Sequence, residues 1–193
     1  MSYSPFIAPY NQLPETLPIF PLPGAIVMPG SELPLNIFEP RYLNMVSDAL
    51  STHRMIGMIQ PDPNARDANV LCHTGCAGRI TQYRETNDGR IEMVLSGVCR
   101  YDVGEELPTT RGYRLIVPDW SRFRDDYSNH EDPLRREHDH LIRMLKRYFD
   151  AKGLQADWSM LERLSTVRLM NSLSMALPLS EQDKQVLLET VEP

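Results

Sequence analysis

The most nucleophilic side chains in this sequence are Cys72, Cys76 and Cys99, and any of five histidines could stand beside one as a base. That freedom of pairing is itself a weak signal. Only the thiolate reacts, and a cysteine inside an apolar strand stays protonated, so the three read as small buried hydrophobes. Cys72-His73-x-x-Cys76 with Cys99 offers four soft metal ligands. A structural zinc site, however, shows two paired clusters, and strand alternation would send His73 to the face opposite Cys72 and Cys76. Neither a metal nor any other cofactor is expected.

Serine-lysine peptide hydrolysis needs a lysine that burial has deprotonated. The lysines are Lys146, Lys152 and Lys184, all on polar faces of the helices drawn below. There is no G-x-x-x-x-G-K-[ST] phosphate loop, no G-x-G-x-x-G turn and no G-x-S-x-G elbow. His138 and His140 lie two apart on a helix, point away from each other and read as solvated. The sequence offers no positive evidence for an active site.

A formal net charge of −6 argues against general affinity for phosphate backbones or anionic lipid. Arg135, Arg136, Arg143, Lys146 and Arg147 form a locally basic helix, but Glu137, Asp139 and Asp150 interleave with them, as on a solvated face. No Lys or Arg precedes Arg41, and prolines or charges interrupt every apolar run before it reaches membrane-spanning length. An odd number of cysteines fits a reducing compartment, so a cytoplasmic location is expected.

These residues need positioning, and the organising element is Leu17 to Tyr42, LPIFPLPGAIVMPGSELPLNIFEPRY. Pro18, Pro21, Pro23, Pro29 and Pro34 remove backbone donors and forbid a long helix, while Leu17, Ile19, Phe20, Leu22, Ile26 and Val27 need burial. The stretch therefore breaks into short strands and turns through a core. Glu39-Pro40 opens a helix, with Tyr42, Leu43, Val46, Ala49 and Leu50 at helical spacing. Met55 to Ile59 reads as a buried strand, Val70 to Tyr83 and Ile91 to Val103 as long β segments, and Asn87-Asp88-Gly89 as the hairpin turn between them. Tyr113 to Trp120 supplies the last strand, ended by Pro118.

Residues 121–132, SRFRDDYSNHED, are charged and lack apolar period, which predicts an exposed connection carrying Asp125, Asp126, Glu131 and Asp132. Beyond it, Asp132-Pro133 should start a helix whose stripe is Leu134, Leu141, Leu145, Tyr148 and Phe149, stopped by Gly153. Asp157 should cap a short helix, Thr166 the next, and Ser180 a last one with Val186, Leu187 and Leu188. Strands with one helix, then helices alone, define an α+β protein: residues 1–120 mostly β, 121–132 the connection, 133–193 a helical subdomain in the form of a small C-terminal bundle.

LP-x-FPL, the PG turn and LPL-x-IFEPRY closely resemble the start of the N-terminal domain of the Lon protease family. The likeness continues through Gly75-Cys76-Ala77-Gly78-Arg79-Ile80, Asp88-Gly89-Arg90, LSGVCRYDV and LSMALPLSEQDKQVLLE. The resemblance implies a PUA-like β pseudo-barrel followed by helices, and a module that recognises unfolded or exposed polypeptide segments. The ATPase and protease regions that do the chemistry in Lon are expected to be missing, since neither a phosphate-binding loop nor a Ser–Lys region is found in these 193 residues. On this basis Met28, Leu33, Leu35 and Phe38 are candidate polypeptide-binding residues, in a groove where the loop after Met28 and the Phe38 region meet the helical subdomain. Glu39, Pro40, Arg41, Tyr42, Gly78 and Arg79 carry over as family motif residues with a structural part, and Glu39 is expected to pair with Arg79 or Arg100. Exposed polypeptide segments are the expected partners of a non-enzymatic module, self-association is left open, and neither membrane nor nucleic acid is expected; the alternatives are an RNA-binding PUA-like barrel and an undetected peptidase.

Overall fold

In the computed structural model the described residues are 9–67, 69–127 and 135–191, with backbone alone at 135 and 136. The order is β1 (Leu17–Pro21), β2 (Glu32–Ile37), α1 (Pro40–Leu50), β3 (Met55–Ile59), β4 (Thr74–Glu85), β5 (Ile91–Leu107) and β6 (Arg114–Asp119). Four helices follow: α2 (Arg135–Lys152), α3 (Trp158–Leu161), α4 (Thr166–Ala176) and α5 (Glu181–Glu189). The fold is α+β.

The six strands run in the order β2-β5-β4-β3-β1-β6, and β6 also pairs with β5. Five strands thus close into a small barrel. β5 is long enough to serve two neighbours: Ile91–Ser96 pairs with β2, and Asp102–Leu107 with β6. Between these halves Gly97 lets the Met28-to-Ser31 turn press onto the strand, since a Cβ at Gly97 would lie 2.1 Å from the Met28 carbonyl oxygen. The Gly30 N–H donates to the Gly97 carbonyl and the Gly97 N–H to that of Ser31, so the proline-rich stretch is sewn to the sheet.

Alternation along the strands makes two cores. Leu17, Ile19, Met55, Ile59, Ala77, Tyr101 and Ile116 fill the barrel interior. Ile56, Met58, Cys76, Ile80, Met93 and Leu95 face the other way, against Tyr42, Met45, Val46 and Ala49 of α1 and the Ile26–Met28 loop. Tyr101 occupies the barrel only because Gly57 and Gly75 lack side chains; a Cβ at either would lie 2.5 Å from its hydroxyl oxygen.

The Thr86-to-Arg90 turn joins β4 and β5 as predicted, with Gly89 at φ +80°. Asp157 and Ser180 cap α3 and α5, accepting from the Met160 and Asp183 N–H groups. Gly153 follows α2 at φ +64°. The cap of α4 is Ser165, one residue before the predicted Thr166, which is buried instead. The predicted start of α2 at Asp132-Pro133 lies outside the described residues.

The expected connection is exposed at Ser121, Arg122, Arg124 and Asp125, yet over Ser121–Tyr127 it is regular in structure and anchored to the barrel. This segment is a 3-10 helix with a kink at Phe123, whose side chain is 1% exposed between the guanidinium groups of Arg100 and Arg122. A single apolar residue among charges carries no period, yet it anchors the segment. The C-terminal helices are divided between two cores. α2, α3 and α4 share a small core around Ile142, Leu145 and Leu169, whereas α5 returns to the barrel and inserts Leu188 into the α1-side core.

A chain of polar contacts holds α5 there. Buried Gln60 accepts from the Gly24 N–H and donates to the Glu181 carbonyl and to Gln185, which in turn donates to the Thr74 carbonyl. Arg100 and Arg122 donate to the carbonyls of Leu188, Glu189 and Thr190, placing positive charge at the negative end of the helix. Lys184 is not simply solvated, because its ammonium donates to the Gly24 carbonyl at 2.9 Å.

Candidate functional site

Where β2 joins β5 and β4, the three strands project beyond the closed barrel. Leu35 pairs with Met93 and Met93 with Tyr83, a row flanked by Pro34-Val94-Gln82 on one side and Asn36-Glu92-Arg84 on the other. Met93 is buried and Leu35 is packed against the α1-side core, so alternation turns both flanking rows to the opposite face. That face curls with the barrel wall and forms a shallow saddle of about 560 Å³ lined by these nine residues. Strand backbone is its floor.

Its lining mixes apolar, amide and charged side chains. Pro34 and Val94 supply apolar contact. The side-chain amides of Asn36 and Gln82 have no hydrogen-bond partner among the described residues, although each can both donate and accept. Arg84 and Glu92 close one end as an ion pair at 2.5 Å. At the other end the next row is Glu32-Ser96-Arg79, with Thr81 Oγ1 3.1 Å from Ser96 Oγ. The lining holds neither a hydroxyl or thiol nucleophile beside a base nor a pair of carboxylates.

The residues expected to bind polypeptide are dispersed. Met28 is 5% exposed within the α1-side core, so it is a packing residue and not part of an open surface. The turn following Met28 is tied to α4 by Asn171 Nδ2, which donates to the Pro29 carbonyl at 3.0 Å. Leu33 and Leu35 are half-buried against that same core, and Leu35 also contributes to the saddle. Phe38 is 62% exposed at the hairpin-turn end of β2, with the Arg90 guanidinium 5.9 Å from its ring centroid. The saddle's other members gave no signal in sequence. Each reads as an ordinary solvent-facing strand residue until strand register brings three strands together.

The motif residues also find places. Glu39 is the N-cap of α1 and pairs with Arg41 at 2.9 Å, not with Arg79 or Arg100. Arg100 is instead taken by Asp126. Tyr42 packs on Phe20 with ring centroids 4.3 Å apart. Gly78 lies against Leu95, where a Cβ would sit 3.0 Å from the leucine Cβ. Arg79 stands on the saddle face, opposite Ser96.

Cys76 and Cys99 are fully buried, and burial raises both thiols well above the ordinary range. Cys72 is pushed up to about 11, chiefly by burial and then by Asp62. None is a ready nucleophile. Among the described residues no group of three His, Cys, Asp or Glu is arranged to hold a metal ion. His138 is not solvated as expected, because Nε2 lies 3.1 Å from the Leu164 carbonyl oxygen. Lys146 pairs with Glu162 at 2.7 Å.

The architecture that carries the saddle is a small closed barrel with an appended helical arm. The chain belongs to the family described as the ATP-dependent protease La (LON) substrate-binding domain, whose model matches residues 16–193. A Lon N-terminal domain protein from Xanthomonas campestris has a similar structure, with a TM-score of 0.67 at 27% identity over 92% of each chain. The N-terminal domain of Mycobacterium avium complex Lon protease superposes with a TM-score of 0.66 at 17% identity, covering 92% of this chain and 91% of that one, a likeness of fold. Lon protease 2 of Bdellovibrio bacteriovorus is 24% identical over 93% of this chain, which spans 23% of that protein. The chain spans 12% of the Desulfosudis oleivorans Lon protease, to which it is 27% identical over 94 residues. No described helix is long and apolar enough to cross a membrane.

Proposed function

We propose that this protein is a non-catalytic recognition module that captures exposed, extended segments of other polypeptides in the β2–β5–β4 saddle. In a cytoplasmic setting it would serve protein quality control as a recruiting adaptor or chaperone-like factor. The observation that carries this reading is the pair of unpartnered amides, Asn36 and Gln82, flanking an apolar strip of Pro34 and Val94 over strand backbone. A carboxamide can satisfy both the N–H and the C=O of a passing peptide group whatever its side chain, which suits a surface that must accept many sequences. Pro34 and Val94 reward burial of the segment's apolar side chains. Membership of the substrate-binding family supports the same reading.

The test is fluorescence anisotropy with a labelled, reduced and carboxymethylated protein that cannot refold. The wild type binds it, Val94→Arg weakens binding at least about tenfold, equivalent to 1.4 kcal/mol, and Met144→Asp on exposed α2 leaves it unchanged. Absence of binding, or equal loss in both variants, contradicts the proposal.

A further inference from the structure

Arg79 differs from the other arginines around the saddle. Arg84 is paired with Glu92 and Arg90 with Asp88, whereas Arg79, a half-buried residue, has no carboxylate or carbonyl partner among the described residues. Its position follows from register. Arg79 is paired with Ser96 on β5 and with Met55 on β3, and directly paired residues share a face. Ser96 and Val94 are two apart on β5, so Arg79 stands one row beyond Val94 on the saddle face. Beside it, Thr81 Oγ1 lies 3.1 Å from Ser96 Oγ and 3.3 Å from the Val94 carbonyl oxygen, which puts two hydroxyls at the same end. Glu32, paired with Ser96 from the other side, is the acidic group on this row. It confines an incoming anion to the β4 side.

An arginine that is half withdrawn from water and left without an acceptor is a strong site for a planar anion, because a guanidinium presents parallel N–H donors that match a carboxylate. We propose that Arg79, with the Ser96 and Thr81 hydroxyls, receives a carboxylate of the polypeptide lying in the saddle. This rests on the saddle reading above. The carboxylate has two sources, the C-terminus of the bound chain or an Asp or Glu side chain within it. Either would fix the direction and register of a segment whose remaining contacts, to the Asn36 and Gln82 amides, are indifferent to sequence.

The experiment uses one short, labelled, apolar peptide in three forms: with a free C-terminal carboxylate, with a C-terminal amide, and with a C-terminal amide plus one internal glutamate. The wild type prefers at least one carboxylate-bearing form over the neutral amide by about tenfold. Arg79→Gln removes that preference while leaving the neutral peptide's affinity unchanged, and Arg79→Lys keeps part of it. Which acidic form is preferred identifies the source. Equal binding of all three forms by the wild type, or an equal loss for all three in Arg79→Gln, overturns the assignment. Binding of the neutral peptide that survives Val94→Arg overturns the saddle reading instead, so the two failures are distinguishable. Thermal melts of each variant separate loss of binding from loss of fold.

Discussion

Arg100 and Asp126 meet at 2.7 Å with side chains only 11% and 6% exposed, and through this pair the segment after β6 is bound to the middle of β5. The same guanidinium donates to the Leu188 carbonyl, so one arginine ties the 3-10 segment and α5 to the barrel. Removing one member of a buried pair leaves an uncompensated charge, which costs about 3–5 kcal/mol. Asp126→Ala should therefore lower the urea midpoint by that equivalent, while Asp88→Ala, at the exposed hairpin pair, changes stability by less than about 1 kcal/mol.

Gly57→Ala should destabilise by about 1–3 kcal/mol, because the new methyl meets the Tyr101 ring and the Leu17 side chain inside a filled barrel. The hydroxyl of Tyr101 is its nearest neighbour. Combining the change with Tyr101→Phe should recover part of the loss, and a double-mutant cycle from chemical denaturation measures this coupling.

Arg54 follows α1 with φ +59°, a left-handed position where glycine is the favoured residue. Its N–H donates to the Ala49 carbonyl and its own carbonyl accepts from Ile80, contacts that glycine keeps. Arg54→Gly should raise stability by about 0.5–1 kcal/mol, seen as an increase of about 1–4 °C in Tm.

The buried thiols set an alkaline limit. Their native values are raised above the unfolded ones, so their contribution is complete below about pH 8.5 and is lost as pH rises toward the native values, about 11 for Cys72. Unfolding free energy should fall between pH 8.5 and 11 by up to about 1.4 kcal/mol per pH unit for each thiol. Denaturation at pH 8 against pH 10 measures it, and the triple Cys→Ala variant should show a flatter profile.

Local signals were legible wherever a residue type acts through its own backbone. The prolines of the opening stretch, Glu39-Pro40, the turn at Gly89 and the caps at Asp157 and Ser180 all stand where they were expected. Contacts between distant elements were not. Phe123 is one apolar residue in a charged run, Met28 has the composition of an adaptable surface yet packs inward, and Lys184 reaches back to Gly24. The saddle is the clearest case. Pro34, Gln82 and Val94 come from three separated segments and form one row only through the register of β2, β5 and β4.

The central claim is that an extended polypeptide lies in this saddle. Amide hydrogen exchange followed by mass spectrometry, with and without a saturating, permanently unfolded client, tests it most directly. Slower exchange is predicted in peptides spanning residues 32–37, 82–84 and 92–94, with α2 unchanged. Protection confined to the helices, or absent from β2 and the β4–β5 hairpin while the client is bound, would contradict it.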